Sequence, residues 1–151
     1  MRIVLQRAEE ASVTINNKVV ADIKKGIALL VAVHKNDTEE AVRLLADKCI
    51  NIRIFPDKED KMNLSVKDIK GEIIAVPQFT LYGRTKKGTR PDYHDSAEPE
   101  KANKLYELFL ECLRQSGLKV VSGIFKARML VEIKNNGPVT LIIEHLCGFK
   151  P

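Results

Sequence analysis

The stretch Lys134-Asn135-Asn136-Gly137-Pro138-Val139-Thr140 lies between two apolar runs, residues 129–133 and 139–143, that both have the composition of β-strands. Asn136-Gly137 is a strong turn signal, because glycine accepts a positive φ without steric cost. Pro138 removes a backbone donor and fixes φ where the second strand would begin. The pattern predicts a hairpin-like corner with unpaired carbonyl oxygens. On these residues alone, the corner is an ordinary turn followed by an edge-strand proline.

The rest of the chain predicts one compact α/β domain, residues 1–145, followed by a short tail, 146–151. About nine strands are expected in mixed, largely antiparallel sheets, which form a barrel-like or β-β-α layered core with two main helices. The first helix is predicted over residues 38–51, with Asp37 as the first residue of a capping box. The second is predicted to be capped by Asp95 or Ser96.

Composition limits the class of protein. The chain has 151 residues, a net charge of +5, 44% hydrophobic and 30% charged residues, as in an ordinary globular domain. No apolar run approaches a membrane span and no leader pattern is present, so a cytoplasmic protein with no membrane partner is expected. The basic excess permits an anionic partner such as RNA but does not demonstrate one. The three cysteines are far apart, which argues against a disulfide framework and a zinc site.

The side chains give little sign of familiar catalytic groups. The three histidines, His34, His94 and His145, adjoin no nucleophile-elbow pattern and have no metal-site spacing, so no metal is expected. Glycine-rich nucleotide motifs are also missing, which predicts no cofactor. What remains is a strand end at Gln78, Phe79 and Thr80, where backbone N–H groups become free beside a hydroxyl. Such groups are the material of an oxyanion hole; the plainer interpretation is that Phe79 belongs to the core and Thr80 to the strand.

Residues 82–93 form a basic, glycine-containing segment that is predicted to be a surface loop. Its cations are Arg84, Lys86, Lys87 and Arg90. They either contact phosphate groups of a nucleic acid or are simply solvated, and the residues alone leave both interpretations open.

Two motifs resemble those of the D-aminoacyl-tRNA deacylase family. The family's Ser-Gln-Phe-Thr-Leu stands here as Pro77-Gln78-Phe79-Thr80-Leu81, and its Asn-x-Gly-Pro-Val-Thr stands as Asn135-Asn136-Gly137-Pro138-Val139-Thr140. The similarity extends over nearly the whole chain. It includes Arg7-Ala8, Ile52-Arg53-Ile54-Phe55, Lys87-Gly88-Thr89-Arg90-Pro91, Ala97, Pro99, Ala102, Leu105-Tyr106 and Gly123-Ile124-Phe125 with Met129.

Two departures from the family pattern bear on the site. Pro77 replaces the usual serine, so a role for that hydroxyl cannot operate in this chain. Lys126-Ala127-Arg128 stands where the family more often has Gly-Ala-Asp, which would alter the rim near the terminal adenosine of the substrate.

The resemblance implies a homodimer with the active site at the subunit interface. The Gly137-Pro138 bond is expected to be cis, with its two carbonyl oxygens directed into the partner's pocket and held with the help of Arg7. This corner would exclude L-amino acids by steric clash, so that D-aminoacyl esters of tRNA are hydrolysed. Glycyl-tRNA would also be hydrolysed, because glycine has no side chain to clash. Asn135 from the second motif, and Met129 and Phe125 from the matching flanks, are further substrate-binding candidates that the resemblance implies.

For the chemical step, the favoured mechanism is attack by water, with the N–H groups of Phe79 and Thr80 stabilising the oxyanion. The terminal 2′-hydroxyl of the RNA would relay the proton. The rival mechanism uses Thr80 as a covalent nucleophile. Gln78 would position the substrate, Phe79 would pack the floor of the adenosine pocket, and the basic loop would meet the acceptor stem.

Two other functions stay open at this point. One is a non-catalytic RNA-binding module on the same fold, for which loss of Thr80 or of the Gly-Pro pair would have been the sign. The other is an esterase for small acyl groups, which the missing catalytic triad disfavours. A DNA partner is not expected.

Overall fold

The structure, a computed structural model, describes residues 1–86 and 88–145. The predicted tail at 146–151 and the predicted RNA contact Lys87 lie outside the described residues. The elements are β1 (Arg2–Ile15), β2 (Lys18–Ile23), β3 (Gly26–Ala32), α1 (Glu39–Asn51), β4 (Phe55–Pro56), β5 (Met62–Leu64), β6 (Glu72–Pro77), a 3₁₀ turn (Phe79–Tyr82), α2 (Pro99–Arg114), β7 (Val120–Ser122) and β8 (Leu130–Glu144).

The long strand β1 organises the main sheet. Along one edge it pairs antiparallel with β8, and along the other it pairs with β3 through its first half and with β2 through its second half. β6 then adds to β3, and β7 to β6, both in parallel. The sheet therefore mixes antiparallel hairpin pairing with two parallel connections that pass through helices.

The sheet is covered on both faces, which explains the long apolar strands. On one face, side chains such as Ile3, Leu29 and Ile73 pack with both helices in the larger core cluster. On the other face, Val13, Ala28 and further small apolar side chains form a second cluster, to which β2 and the first half of β8 contribute. The sheet and its two clusters form the barrel-like α/β core with two main helices that the sequence predicts. The predicted fold class is confirmed.

The hairpin between β1 and β2 follows the local sequence. Asn16 and Asn17 have φ values of 50° and 62°, the conformation that a tight two-residue turn requires. The strand before the turn, β1, is continuous over residues 2–15. Farther along the chain, the short strand β5 pairs antiparallel with β4.

Helix α1 is not capped by Asp37. Thr38 is its N-cap, with its hydroxyl accepting a hydrogen bond from the Ala41 N–H at 3.3 Å. Asp37 is instead a buried carboxylate that accepts from the Met1 α-amino group and, at 2.6 Å, from the His34 N–H. The local capping pattern fails because a distant cation competes for the same carboxylate.

The predicted caps of α2, Asp95 and Ser96, are wrong for a similar reason. The helix begins at Pro99 after Glu98, with no side-chain cap. The Asp95 carboxylate pairs with Lys35 and Arg84, and the Ser96 hydroxyl donates to the Phe79 carbonyl at 3.2 Å. Both side chains hold the segment beside the 3₁₀ turn. Pro99 occupies the first turn of the helix, where its missing N–H group costs no hydrogen bond.

The predicted hairpin-like corner at residues 134–140 is wrong. The two apolar runs are halves of one strand, β8, and each half pairs with β1. Between them, Ala8 pairs with Asn135 and Gln6 with Thr140, so four residues of β8 lie opposite Arg7 alone. We call these residues, 136–139, the protrusion. Long-range pairing with β1 keeps the chain direction that the Asn-Gly signal would otherwise reverse.

Candidate functional site

A cavity of about 490 Å³ opens where β3 and β6 end. Its wall is mostly apolar and comes from these strands, the start of α2, and the segment that leads into β8. The lining residues include Val31, Val76, Pro77, Gln78, Phe79, Ser96, Tyr106, Phe125, Lys126 and Met129. A cavity of this size and character suits a small organic group such as a nucleoside.

Gln78 and Phe79 line the cavity, at the point where β6 gives way to the 3₁₀ turn. The N–H groups of Phe79 and Thr80 donate to no acceptor within the described part of the chain. This is expected for the first residues of a helical turn, whose amides have no intrahelical partner. The two free N–H groups are therefore available to an oxygen atom of a ligand.

The Thr80 hydroxyl has one hydrogen-bond partner among the described residues, the side-chain amide of Gln78. No carboxylate, imidazole or amine is bonded to it in this part of the chain. An amide cannot accept the proton that a threonine nucleophile must lose. The arrangement orients the hydroxyl but gives no activation of it as a nucleophile.

Phe79 differs from its predicted place. Its side chain is 58% exposed and meets Tyr93 edge-to-face, with ring centroids 5.1 Å apart. It therefore lies at the mouth of the cavity and not on its floor. The interior is instead lined by Tyr106, whose hydroxyl donates to the Ala75 carbonyl at 2.9 Å. Burial raises the pKa of Tyr106, so this hydroxyl stays protonated at neutral pH.

The other predicted residues form a second group around the protrusion. Arg7 donates from Nε to the Asn136 carbonyl at 2.8 Å and from a terminal nitrogen to the Ile54 carbonyl at 2.7 Å. The resemblance implied that Arg7 helps to hold the Gly137-Pro138 carbonyls. Of its two hydrogen bonds, one goes to the preceding carbonyl, that of Asn136, and the other to Ile54. The Gly137–Pro138 bond is cis, as the resemblance implied.

Asn135 fixes the base of the protrusion. Its side-chain oxygen accepts from the Val139 N–H at 2.9 Å, and its amide donates to the Thr140 hydroxyl at 2.9 Å. Thr140 also accepts from Gln6 at 3.1 Å, which ties the end of the protrusion to β1. Asn135 therefore stabilises the backbone, and neither it nor Gly137 lines the cavity. Within one chain, the predicted site is split into two groups.

The basic loop is only partly free. Arg84 forms an ion pair with Asp95, and its backbone pairs with that of Asp92 at 2.7 and 3.0 Å. Lys86 and Arg90 are exposed, and neither forms an ion pair with another described residue. Two of the predicted cations are thus available to an anionic partner.

Most residues that line the cavity were not predicted from the sequence as site residues. Among them are Ser96 and Tyr106, whereas Lys126 was expected at the rim near the terminal adenosine. Ser96 and Tyr106 were assigned to a helix cap and to a matching flank, and no local signal marks either as a site residue. Within residues 1–86 and 88–145, no cluster of three or more metal-ligating side chains occurs, and no helix is long and apolar enough to cross a membrane.

Comparison with known proteins identifies the family. The model of the D-Tyr-tRNA(Tyr) deacylase family matches residues 4–144. A protein of Thermosipho melanesiensis called D-aminoacyl-tRNA deacylase is 52% identical over 145 residues, covering 95% of this chain and 97% of the relative. A protein of the same name from Clostridium perfringens is 46% identical over 149 residues, covering 99% of this chain and all of the relative.

Solved structures agree in fold. The structure named c-Myc DNA unwinding element binding protein has a TM-score of 0.91 and 37% identity, covering 97% of this chain and 99% of that one. A probable eukaryotic D-amino acid tRNA deacylase has a TM-score of 0.82 at 22% identity, covering 94% and 97%, which shows the shared fold alone. This chain belongs to the D-Tyr-tRNA(Tyr) deacylase family. The predicted family is confirmed, and with it the prediction of an enzyme of the deacylase class.

Proposed function

We propose that this protein hydrolyses the ester bond between a D-amino acid and the 3′-terminal adenosine of tRNA, and that it does so in the cytoplasm. The observation that carries the proposal is the pair of free N–H groups, of Phe79 and Thr80, beside an apolar cavity of nucleoside size. Family membership supplies the substrate class, because the relatives are named D-aminoacyl-tRNA deacylases.

The two free N–H groups stabilise the oxyanion that forms when the ester carbonyl is attacked. Donors fixed in advance by the fold need no reorganisation as the charge develops, and losing one costs about 2.7–4 kcal/mol of barrier in known cases. The backbone of Phe79 is held by the Ser96 hydroxyl, which donates to its carbonyl at 3.2 Å. The turn is thus supported from the side of the cavity.

Water is the nucleophile in this mechanism. Thr80 is hydrogen-bonded to the Gln78 amide and to no described base, so the covalent alternative lacks an activating group. The 2′-hydroxyl of the terminal ribose lies next to the ester in any aminoacyl-tRNA and relays the proton. Gln78 orients Thr80 and the substrate, and Phe125 and Met129 contact the nucleoside from the cavity wall.

Selection for the D-configuration comes from the protrusion of a second subunit. Gly137 and Pro138 are exposed and do not line the cavity of their own chain, while β8 pairs with β1 along one edge only among the described strands. In a homodimer, the partner's protrusion closes the cavity and meets the substituent of an L-amino acid by steric clash. A D-residue directs its side chain elsewhere, and glycine has none, so glycyl-tRNA is also cleaved.

The basic loop contacts the acceptor stem. Lys86 and Arg90 are exposed cations, and Lys87 completes the group by sequence. Such phosphate contacts weaken steeply as salt rises.

The test is deacylation of D-tyrosyl-, L-tyrosyl- and glycyl-tRNA by the wild type and by Thr80→Ala, with chelator present. The wild type should cleave the D-ester and the glycyl ester and spare the L-ester. Thr80→Ala should retain most of the activity, because it removes the hydroxyl and keeps the N–H group. Loss of all activity in folded Thr80→Ala would restore the covalent mechanism.

A dimer that folds, binds tRNA and cleaves none of the three esters would instead support the non-catalytic RNA-binding module. Aryl esters serve as the control for a general esterase, which should hydrolyse them; this protein should not. Sedimentation or light scattering of the same sample measures the proposed dimer directly.

A further inference from the structure

We propose that Lys126 binds the phosphate group on the 5′ side of the terminal nucleoside, and that this contact sets the depth at which the nucleoside enters the cavity. The inference rests on the proposed function. It assigns a substrate contact to a residue at which this chain departs from the pattern it resembles.

The chemistry of the cavity wall carries the first step. Lys126 is the only charged side chain among the described residues that line it. The apolar remainder suits a base and a ribose, but it offers no partner for the phosphate that joins this nucleoside to the rest of the RNA. Lys126 is exposed, and its long, flexible stem allows the ammonium group to reach the mouth, where that phosphate would leave the cavity.

The backbone of Lys126 carries the second step. Its φ is 63°, in the left-handed region that a residue with a Cβ disfavours. It occupies the turn that the Ala127 N–H closes by donating to the Ile124 carbonyl at 3.2 Å. In the described part of the chain, its side chain makes no ion pair or hydrogen bond that would offset this conformation. A disfavoured backbone without a structural partner is a reason to look for a ligand.

A second lysine shows that the backbone alone is not the signal. Lys70 has a φ of 51° and closes a turn by donating to the Lys67 carbonyl at 3.1 Å. It does not line the cavity. What sets Lys126 apart is the combination of the left-handed turn with a charge at the cavity, and Lys70 becomes the matched control for the backbone effect.

Arg128 is the matched control for charge. It is exposed and lies two residues from Lys126, yet it does not line the cavity. Its removal lowers the positive potential of the segment by the same unit charge. A phosphate contact made by Lys126 itself will therefore be lost in one variant and kept in the other.

The experiment is an NMR titration with adenosine 5′-monophosphate and with adenosine, at fixed salt and pH 7.5. The wild type should bind the monophosphate about two- to fivefold more tightly than the nucleoside, the range of one exposed ion pair. Lys126→Gly should bind both equally and be at least as resistant to thermal unfolding as the wild type, because glycine accepts the positive φ. Lys126→Arg, Lys70→Gly and Arg128→Gln should keep the preference.

Hydrolysis by the same variants separates this inference from the proposed function. On D-tyrosyl-tRNA, Lys126→Gly should lower kcat/KM by about two- to fivefold, and the loss should appear as a higher KM with kcat unchanged. On the D-tyrosyl ester of adenosine, which has no phosphate, the variant should match the wild type. Its plot of log affinity for tRNA against log salt should be shallower by about 0.7, the value for one single-strand phosphate.

The inference is overturned if the wild type binds adenosine 5′-monophosphate and adenosine equally, if it binds neither of them, or if Lys126→Gly keeps the preference for the monophosphate. D-ester cleavage with no phosphate preference would remove Lys126 from the site and leave the proposed function standing. A phosphate preference that depends on Lys126, without cleavage of any ester, would keep Lys126 as a phosphate-binding residue and overturn the proposed function.

Discussion

The protrusion and the cavity are built in opposite ways. The protrusion consists of exposed backbone held by polar side chains. Asn135 makes two hydrogen bonds to it and its base, and Arg7 links its Asn136 carbonyl to the Ile54 carbonyl. The cavity is a wide apolar space in which few polar atoms are fixed. The two N–H groups beside it, those of Phe79 and Thr80, have no acceptor among the described residues. In the proposed function, the protrusion excludes L-amino acids and the cavity receives the terminal nucleoside.

This difference predicts that the two regions tolerate change differently. The protrusion has little freedom, so small additions should be costly. The cavity can adjust around a lost side chain, provided that its backbone donors stay in place.

The largest effect is expected for Gly137→Ala. Gly137 has a φ of 133°, and a Cβ there would stand 2.7 Å from the Arg7 guanidinium and 2.9 Å from a Val139 methyl. The protrusion must shift, and kcat/KM for D-tyrosyl-tRNA should fall by about 100-fold. Gly117→Ala is the control, because Gly117 has a φ of 79° and no atom within 4 Å of its Cβ position. Equal activity of the two variants would contradict a rigid protrusion.

Arg7→Ala should have the next largest effect. It leaves the Asn136 and Ile54 carbonyls without their charged donor, so the protrusion loosens. We expect about a tenfold loss in kcat/KM and a rise in L-tyrosyl-tRNA cleavage, because the steric barrier is no longer held in place. Arg53→Ala serves as the control, because it removes an exposed arginine that adjoins Ile54 in sequence. Undiminished rejection of the L-ester would show that Arg7 is not needed for selection.

Phe79→Ala probes the cavity side of the comparison. The ring at the mouth is lost, but the N–H group remains. Loss of one stacking ring should raise KM by about tenfold while kcat changes by less than about twofold. Leu44→Ala, an exposed apolar residue of α1, is the control. A large fall in kcat would mean that the side chain, and not the backbone donor, takes part in the chemistry.

The smallest effect is expected at Asp95, at the edge of the cavity. Burial raises its pKa, but hydrogen bonds from Arg84 and Lys35 outweigh this and hold the pKa below its usual value. Because the folded-state pKa is depressed, the stabilisation is present above the unfolded pKa of about 3.9 and is lost as pH falls through the folded value. The urea midpoint of the wild type should therefore fall more between pH 5 and pH 2 than that of Asp95→Asn.

Asp22→Asn, at an exposed carboxylate of β2, is the control for that titration. Parallel profiles for the wild type and Asp95→Asn would show that the ionic contacts at the edge of the cavity do not contribute to stability.

The sequence predicts the strand-end donors but not the true form of the protrusion. Where β6 ends, the amides of Phe79 and Thr80 lose their ladder partners, and this follows from local sequence. The protrusion depends on pairing with β1, about 130 residues earlier in the chain, which no local turn signal reports. The same reason explains Asp37, whose partner is the distant Met1. The left-handed backbone conformation of Lys126 was also not predicted, because a lysine does not suggest a positive φ.

The register around the protrusion has one further consequence. β8 carries three residues more than β1 between the pairs at Asn135 and Thr140, and β1 recovers one of them beside Glu9. The net excess is two, and two is the period at which a strand repeats its inward and outward faces. Both halves of β8 therefore keep the same face toward the core. The protrusion is therefore an insertion that leaves the pairing of the rest of the sheet unchanged, and the selectivity proposed for it can change with chain length at residues 136–139 without a change in the core.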